Sequence, residues 1–345
     1  MNRIQKLQAI MDVKQLIISD PAMLYYYTGH RFDVGERMIA LLVKKTGAPT
    51  LFLNKLFEAP DDLQTVQFSD SEDSIGILGS YLESGPLAID GNWPARFIIP
   101  FITTHTLVNA SPLLEQIRTI KDAHELALLE TASHHNDRIM TEMRDLIKVG
   151  MTERELAEIV RTKQSTAPLQ GPSFEPIVIF TQNIADPHGI PTDRVLQNGD
   201  VVLVDMGGFY EGYASDMTRC FFVGSNKELE PIYEIVRQAN EAAIAAVKPG
   251  VTLASIDKAA RDVITKAGYG EYFIHRTGHG IGTEAHENLD VSETNQKIVD
   301  VGMCFSIEPG IYLPGIGGIR IEDLVHVTAD GVHVMNHFRK ELTRI

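Results

Sequence analysis

Four acids interrupt apolar stretches late in the chain. Asp205 ends VVLVD, Asp216 follows a turn, Glu308 ends CFSIE, and Glu322 sits in IRIED. Asp205 and Asp216 flank Gly207, Gly208, Glu211 and Gly212, while Glu308 and Glu322 flank Pro314-Gly315-Ile316-Gly317-Gly318. Each pair brackets a turn, so a hairpin would bring its two acids to one side, with Cβ atoms about 4.5–5.5 Å apart if they oppose directly. Carboxylates that close repel strongly unless a cation lies between them. Burying them without a metal or base costs several kcal/mol apiece. One acid at a strand end is ordinary; two mirrored pairs point to a cation site.

Imidazoles accompany them. His275, His279 and His286 fall in HRTGHGIGTEAHE, and His188 follows a proline in ADPHGIP. His275 and His279 have i, i+4 spacing, but Gly278, Gly280 and Gly282 oppose a helix. A glycine loop is better suited to aiming the rings into a cavity. His286-Glu287-Asn288-Leu289-Asp290 is not HExxH, and Gly278-x-Gly-x-Gly is not a dinucleotide fingerprint. A serine-hydrolase reading of Ser215 fails because Gly212-Tyr-Ala-Ser-Asp is not a nucleophile elbow. Carboxylates with an imidazole and no thiolate favour manganese, cobalt, iron or zinc over copper. Four carboxylates suffice for two ions that share ligands about 3.5–4 Å apart.

The elements around these residues are partly repeated. Lys148-Val-Gly-Met-Thr152 before ELAEIV resembles Lys248-Pro-Gly-Val-Thr252 before IDKAARDVI. Thr152 with Glu155 has capping-box spacing and marks a helix start. Gly199-Asp-Val-Val-Leu-Val-Asp205 likewise matches Gly302-Met-Cys-Phe-Ser-Ile-Glu308. Two similar α+β halves, each ending a strand in a carboxylate, predict a pseudo-symmetric sheet with a site between them. Upstream, LIIS and the pair IALLVKK and PTLFL around Thr46-Gly47-Ala48 predict strands and a hairpin. PLAID and FIIPFI are further apolar runs. Helix formers at helical spacing begin near Lys121, which puts a domain boundary near residue 118.

Composition bounds the rest. The 345 residues are 44% hydrophobic and 22% charged, ordinary globular usage with room for two domains. A formal net charge of −15 repels phosphate backbones and anionic lipid, so neither nucleic acid nor a membrane is an expected partner. Cys220 and Cys304 lie in apolar stretches and read as buried thiols. The N-terminus lacks a secretory pattern. The expected location is the cytoplasm.

In this order, the motifs resemble the pita-bread metallopeptidases, the family of methionine aminopeptidase, aminopeptidase P and prolidase. The resemblance spans about residues 117–345, through PHG, DMGG…SDMTR, HRTGHGIG…HE, FSIEPG and GIRIED. It implies an α+β chain: a pita-bread catalytic domain over 118–345 with pseudo-twofold duplicated halves. A smaller α/β domain over 1–117, of the creatinase type and RNase H-like, would precede it. Five metal ligands are implied, Asp205, Asp216, His279, Glu308 and Glu322. None is substituted, which argues against a creatinase-like relative. Two divalent ions per subunit are implied, manganese first, with cobalt, zinc or iron as alternatives.

An N-terminal α/β domain together with GIRIED is similar to the proline-specific branch. The implied activity is hydrolysis of the Xaa-Pro bond in dipeptides, as in prolidase. Aminopeptidase P, acting on Xaa-Pro-Xaa peptides, is the alternative; a non-catalytic binding protein on the same fold is an alternative of another class. The implied partners are small proline-containing peptides and a second copy of the chain in a homodimer.

In the implied mechanism a hydroxide shared by the two ions attacks the carbonyl before proline. Asp205 and Glu322 bridge the ions, Asp216 completes one site, and His279 with Glu308 completes the other. Glu308 is also the general base and then the acid. His286 hydrogen-bonds the oxygen that becomes negative, and His188 lies on the other side of the substrate. His275 and Arg320 line the pocket past the scissile bond, Arg320 as a fork for the proline carboxylate. The Xaa-Pro bond has no N–H to recognise, and only its trans form is expected to be cleaved. The charged loop from Thr28 to Arg37 reads first as an ordinary solvated loop; the alternative is that it reaches a partner subunit's cleft, since relatives of this kind are commonly dimers.

Overall fold

The computed structural model describes residues 2–166 and 168–345. The chain divides into two compact units, Met1–Arg118 and Thr119–Ile345.

The first unit is a six-stranded mixed sheet, in the order Gln64–Phe68, Thr50–Asn54, Ala40–Lys44, Gln15–Ile18, Leu87–Ile89, Leu107–Asn109. Ala40–Lys44 and Thr50–Asn54 form the hairpin expected around Gly47, with Leu41 opposite Leu51. Alternate side chains of the central strands go to opposite faces, and both faces are covered. Leu16, Ile18, Leu41 and Val43 pack with Leu7, Leu24 and Leu114, while Ile17, Ala40, Leu42 and Phe52 pack with Trp93 and Phe101. The apolar run FIIPFI is helical: Ala95–Ile98 runs into a 3-10 turn at Ile99–Phe101. Pro100 sits in the first turn of that 3-10 segment, where it needs no N–H donor. The charged loop is tied within its own unit, since Arg37 pairs with Asp70 at 3.0 Å and Arg31 lies 3.9 Å over the Tyr25 ring.

The second unit shows the two halves that the repeats foretold. In the first, the helices Ala123–Leu146 and Glu153–Gln164 accompany a four-stranded sheet. Its order is Thr343–Arg344, Met217–Phe222, Val201–Met206, Ile177–Phe180. In the second, Leu229–Ala246 and Leu253–Lys266 accompany Glu287–Val291, Gly278–Gly280, Cys304–Ile307, Asp323–Thr328 and Gly331–Val334. The repeated KxGxT segments do the same work twice. Gly150 (φ 96°) and Gly250 (φ 89°) turn the chain in the left-handed region, and Thr152 and Thr252 cap the next helix. Thr152 bridges Val195 and Thr252 bridges Ile298, both antiparallel. A buried acid on each second helix then holds one end of the next strand. Glu153 accepts from the Phe180 N–H at 2.7 Å, and Asp257 accepts from the Thr277 hydroxyl at 2.8 Å.

No helix among the described residues is long and apolar enough to cross a membrane. Cys220 and Cys304 are buried free thiols, both pushed up to about 12 by burial.

Candidate metal centre

The site is assembled at strand ends, where the ladder stops and side chains are free to converge. Asp205 lies in Val201–Met206, Asp216 immediately precedes Met217–Phe222, and His279 is the middle of Gly278–Gly280. Glu308 immediately follows Cys304–Ile307, and Glu322 stands between Gly317–Arg320 and Asp323–Thr328. The first pair is staggered rather than directly opposed. Asp205 faces Thr218, so Asp216 is its diagonal neighbour on the same face. In the second pair Ile307 faces Asp323, and one further step along the ladder sets Glu308 against Glu322. The strand breaks between Arg320 and Glu322, yet both line the same cavity.

That cavity has a volume of about 570 Å³ and is lined by all nine site residues read from the sequence: the four acids, His188, His275, His279, His286 and Arg320. Phe174, Glu175, Ile177, Pro187 and Arg276, which the motifs did not single out, complete its wall. His279 Nε2 lies 3.6 Å from Asp216, 3.4 Å from Glu308 and 4.0 Å from Glu322. Its other ring nitrogen, Nδ1, is 3.0 Å from the Gly280 carbonyl, an acceptor only. Nδ1 must therefore carry the hydrogen, which leaves the Nε2 lone pair facing the carboxylates. Gly278 makes this approach possible, because a Cβ there would lie 1.8 Å from the Ser306 carbonyl oxygen.

Secondary contacts hold the acids in place. Thr218 donates to Glu322 Oε2 at 2.7 Å, and Ser306 donates to Glu308 at 3.2 Å while accepting from the His279 N–H at 3.0 Å. Arg320 donates to Asp205 Oδ2 at 2.5 Å and to the Tyr312 hydroxyl at 3.0 Å. His275 gives its Nδ1 hydrogen to the Arg276 carbonyl at 2.7 Å, so its Nε2 accepts from Tyr312 at 2.8 Å. Asp205, Arg320, Tyr312 and His275 thus form one connected run. Behind the loop that carries His286, Lys121 and Glu287 make a buried pair at 2.8 Å.

The electrostatics ask for positive charge. Burial, reinforced by neighbouring carboxylates, pushes Asp216 and Glu322 well above the ordinary carboxylate range, and burial raises Glu308 as well. Burial brings His279 and His286 down to about 4, so both rings are neutral near pH 7. The ring of His286 lies 4.1 Å from that of His279. Asp205 Oδ1, Asp216 Oδ1 and Glu322 Oε1 are buried oxygens with no hydrogen-bond partner among the described residues. Such atoms cost free energy unless something positive satisfies them. Orphaned oxygens beside a neutral, correctly oriented imidazole fit divalent cations.

Arg320 and Tyr312 divide in how legible they were. Arg320 was read as a substrate fork, and here it also holds Asp205. Tyr312 gave no signal beyond its place two residues after GluProGly. Arg219 of SDMTR was likewise unmarked; it is fully buried and donates to the Glu322 carbonyl at 2.5 Å.

Comparison with known proteins gives the family and the fold. Residues 127–329 match the metallopeptidase family M24, and residues 3–120 match the creatinase/prolidase N-terminal domain. An uncharacterized peptidase of Staphylococcus aureus is 37% identical over 331 residues, 94% of each chain. The solved prolidase of Thermococcus sibiricus is 34% identical and superposes with a TM-score of 0.93 over 99% of this chain and 98% of its own. The X-Pro aminopeptidase of Thermotoga maritima is 27% identical, with a TM-score of 0.86 over 99% and 100%.

Proposed function

The chain belongs to metallopeptidase family M24, and from that premise we propose that it hydrolyses the Xaa-Pro bond of dipeptides at this cavity. Two divalent ions, manganese first, would be held by Asp205, Asp216, His279, Glu308 and Glu322. The observation that carries the reading is the set of buried carboxylate oxygens left without partners beside His279 Nε2. Distances from His279 support a division of ligands different from the one read from sequence. Asp216 and Glu322 both approach its Nε2, whereas Asp205 is paired with Arg320. Asp216, Glu308 and Glu322 would therefore hold an ion together with His279, and Asp205, oriented by Arg320, would complete the set.

Bound there, divalent ions supply Lewis acidity and bring the pKa of water down toward about 7. The chain's own groups do the rest. Glu308, raised by burial, takes the proton from the attacking water and delivers it to the leaving imino nitrogen. His286, neutral at pH 7, donates to the carbonyl oxygen as negative charge develops. Phe174, Ile177 and Pro187 give the cavity an apolar wall for the proline ring, and His188 stands at its exposed rim. Arg276 and Arg320 add two guanidinium groups to the lining, which favours a substrate whose carboxylate enters the cavity. Arg320 already spends N–H groups on Thr218, Pro187, Tyr312 and Asp205. It would meet that carboxylate with the one of its five donors that remains. The working form is proposed to be a homodimer.

The deciding experiment offers an Xaa-Pro dipeptide and an Xaa-Pro-Xaa tripeptide to the chain loaded with manganese or cobalt. Cleavage of the dipeptide, lost on chelation, is the expected result. Preference for the tripeptide would move the assignment to aminopeptidase P. Cleavage of neither, with metal bound, would support a binding protein instead.

A further inference from the structure

Away from the cavity, four imidazoles and a carboxylate meet on the second unit. Glu130 and His134 are four residues apart on Ala123–Leu146 and so share a helical face. His326 and His333 are register partners across the antiparallel strands Asp323–Thr328 and Gly331–Val334. His337 lies beyond them, on a segment held to the same helix by Asp137. That carboxylate accepts from the backbone N–H groups of His337 and Phe338, each at 2.8 Å.

The side chains converge on Glu130. His333 Nε2 is 2.9 Å from Oε1 and 3.0 Å from Oε2, while His134 and His337 approach Oε1 at 3.5 and 3.9 Å. The His326 and His333 rings are 4.9 Å apart. One ligand atom from each of Glu130, His326 and His333 lies within 4.8 Å of the others, and the same holds for Glu130, His134 and His337. His326 Nδ1 is buried with no hydrogen-bond partner among the described residues. None of the five lines the catalytic cavity.

We propose that Glu130, His326 and His333, completed by His134 or His337, bind one zinc-class divalent ion at a site separate from the catalytic centre. The donors decide the class. Imidazole outnumbers carboxylate here, a set suited to Zn²⁺, Ni²⁺ or Cu²⁺ and poorly suited to Mg²⁺, Ca²⁺ or Mn²⁺. The cavity has the opposite balance, with four carboxylates to one ligating ring, so the two sites sort metals differently. Tetrahedral zinc at about 2.0–2.1 Å needs its ligand atoms roughly 3.3–3.4 Å apart. His333 Nε2 is already that close to Glu130, so it is the other donor pairs, up to 4.8 Å apart, that must close in, and the partly exposed side chains of His333 and Glu130 have room to rotate. The bound ion fastens the long helix to the C-terminal hairpin.

The test counts zinc per chain after stripped protein is dialysed against low-micromolar ZnCl₂. It is run on the wild-type chain and on Glu322→Gln, which weakens the catalytic centre. In both backgrounds, adding His326→Gln with His333→Gln is expected to remove one zinc per chain. Equal zinc counts with and without the pair would overturn the proposal. Should the hairpin pair disturb folding, His134→Gln with His337→Gln changes only exposed rings. Loss of a ligand should weaken zinc binding at least about tenfold, since removing even a ligand's outer partner costs that much. Zinc affinity unchanged in that variant and an unchanged melting temperature on zinc addition would equally refute the site.

Discussion

Arg219 Nη2 meets Asp323 at 2.7 Å in a fully buried pair, while Nη1 of the same guanidinium donates to the carbonyl of Glu322. The arginine also donates to the Phe338 carbonyl at 2.9 Å, and Lys340 reaches Asp323 from the other side at 2.9 Å. One buried cation therefore fixes the backbone of a metal-centre acid and ties down the C-terminal segment.

Removing Asp323 leaves the Arg219 guanidinium without its carboxylate in the interior, and removing Arg219 leaves Asp323 with Lys340 alone. Arg219→Leu or Asp323→Asn should cost about 3–5 kcal/mol of stability, read as a lower denaturant midpoint. Burial alone would raise Asp323, but Arg219 and Lys340 outweigh it, so its carboxyl is held below the usual range. A depressed acid stabilises the fold above its unfolded pKa, and that contribution is lost as pH falls through the folded value. Arg219→Leu should accordingly lose part of that contribution, so its stability should fall less steeply than the parent's as pH drops below about 4. Identical midpoints would show that the pair carries no net weight.

Glu308→Gln keeps an oxygen ligand and removes the proton carrier. We expect kcat to fall by about 10²–10⁴ while some bound metal remains, measured by metal analysis beside the peptide assay. His286→Ala should lower kcat by about 10²–10³ with metal content unchanged. A rise in KM with kcat unchanged would assign His286 to substrate binding instead.

Asp216 and Glu322 supply a pH signature in chelator-treated protein. Both are raised by burial first, so the folded chain holds more protons than the unfolded chain above about pH 4. Stability of the stripped protein should therefore fall as pH rises through that window, and divalent ions should restore it. The gap in melting temperature between loaded and stripped protein is expected to widen from pH 5 to pH 8. A constant gap would argue against these acids as the ligands.

Gly278→Ala tests the close approach that carries His279. The added carbon meets the Ser306 carbonyl at 1.8 Å, and backbone cannot rotate away as a side chain can. The strands must separate, at a cost of about 1–3 kcal/mol and with metal affinity reduced. Calorimetric metal titration of the variant checks it; wild-type affinity would mean that His279 does not need that contact.

Much of the site could be read in the sequence because its residue types are unusual where they stand. An acid ending VVLVD or CFSIE conflicts with its apolar surroundings, and the repeated KxGxT segments exposed the two halves. What stayed hidden depends on register and distance. Hairpin reasoning set Asp205 against Asp216, whereas the ladder sets Asp205 against Thr218, a two-residue difference that apolar alternation cannot distinguish. FIIPFI is apolar throughout, and its helical form appears only in the packing of its own Phe97 and Phe101 beside Trp93. Tyr312 and Arg219 act through atoms far along the chain, and Glu130 finds His333 across 203 positions. No local pattern announces such partners.

The four acids and the imidazole of the candidate centre are divided between the halves: Asp205 and Asp216 come from one, His279, Glu308 and Glu322 from the other. During synthesis Glu322 emerges last, and its N–H must find Thr218, made about a hundred residues earlier. On the proposed ligand set, a chain cut short of Glu322 should neither retain the ions nor cut peptides. Competence arrives in a single late step, when both halves have condensed.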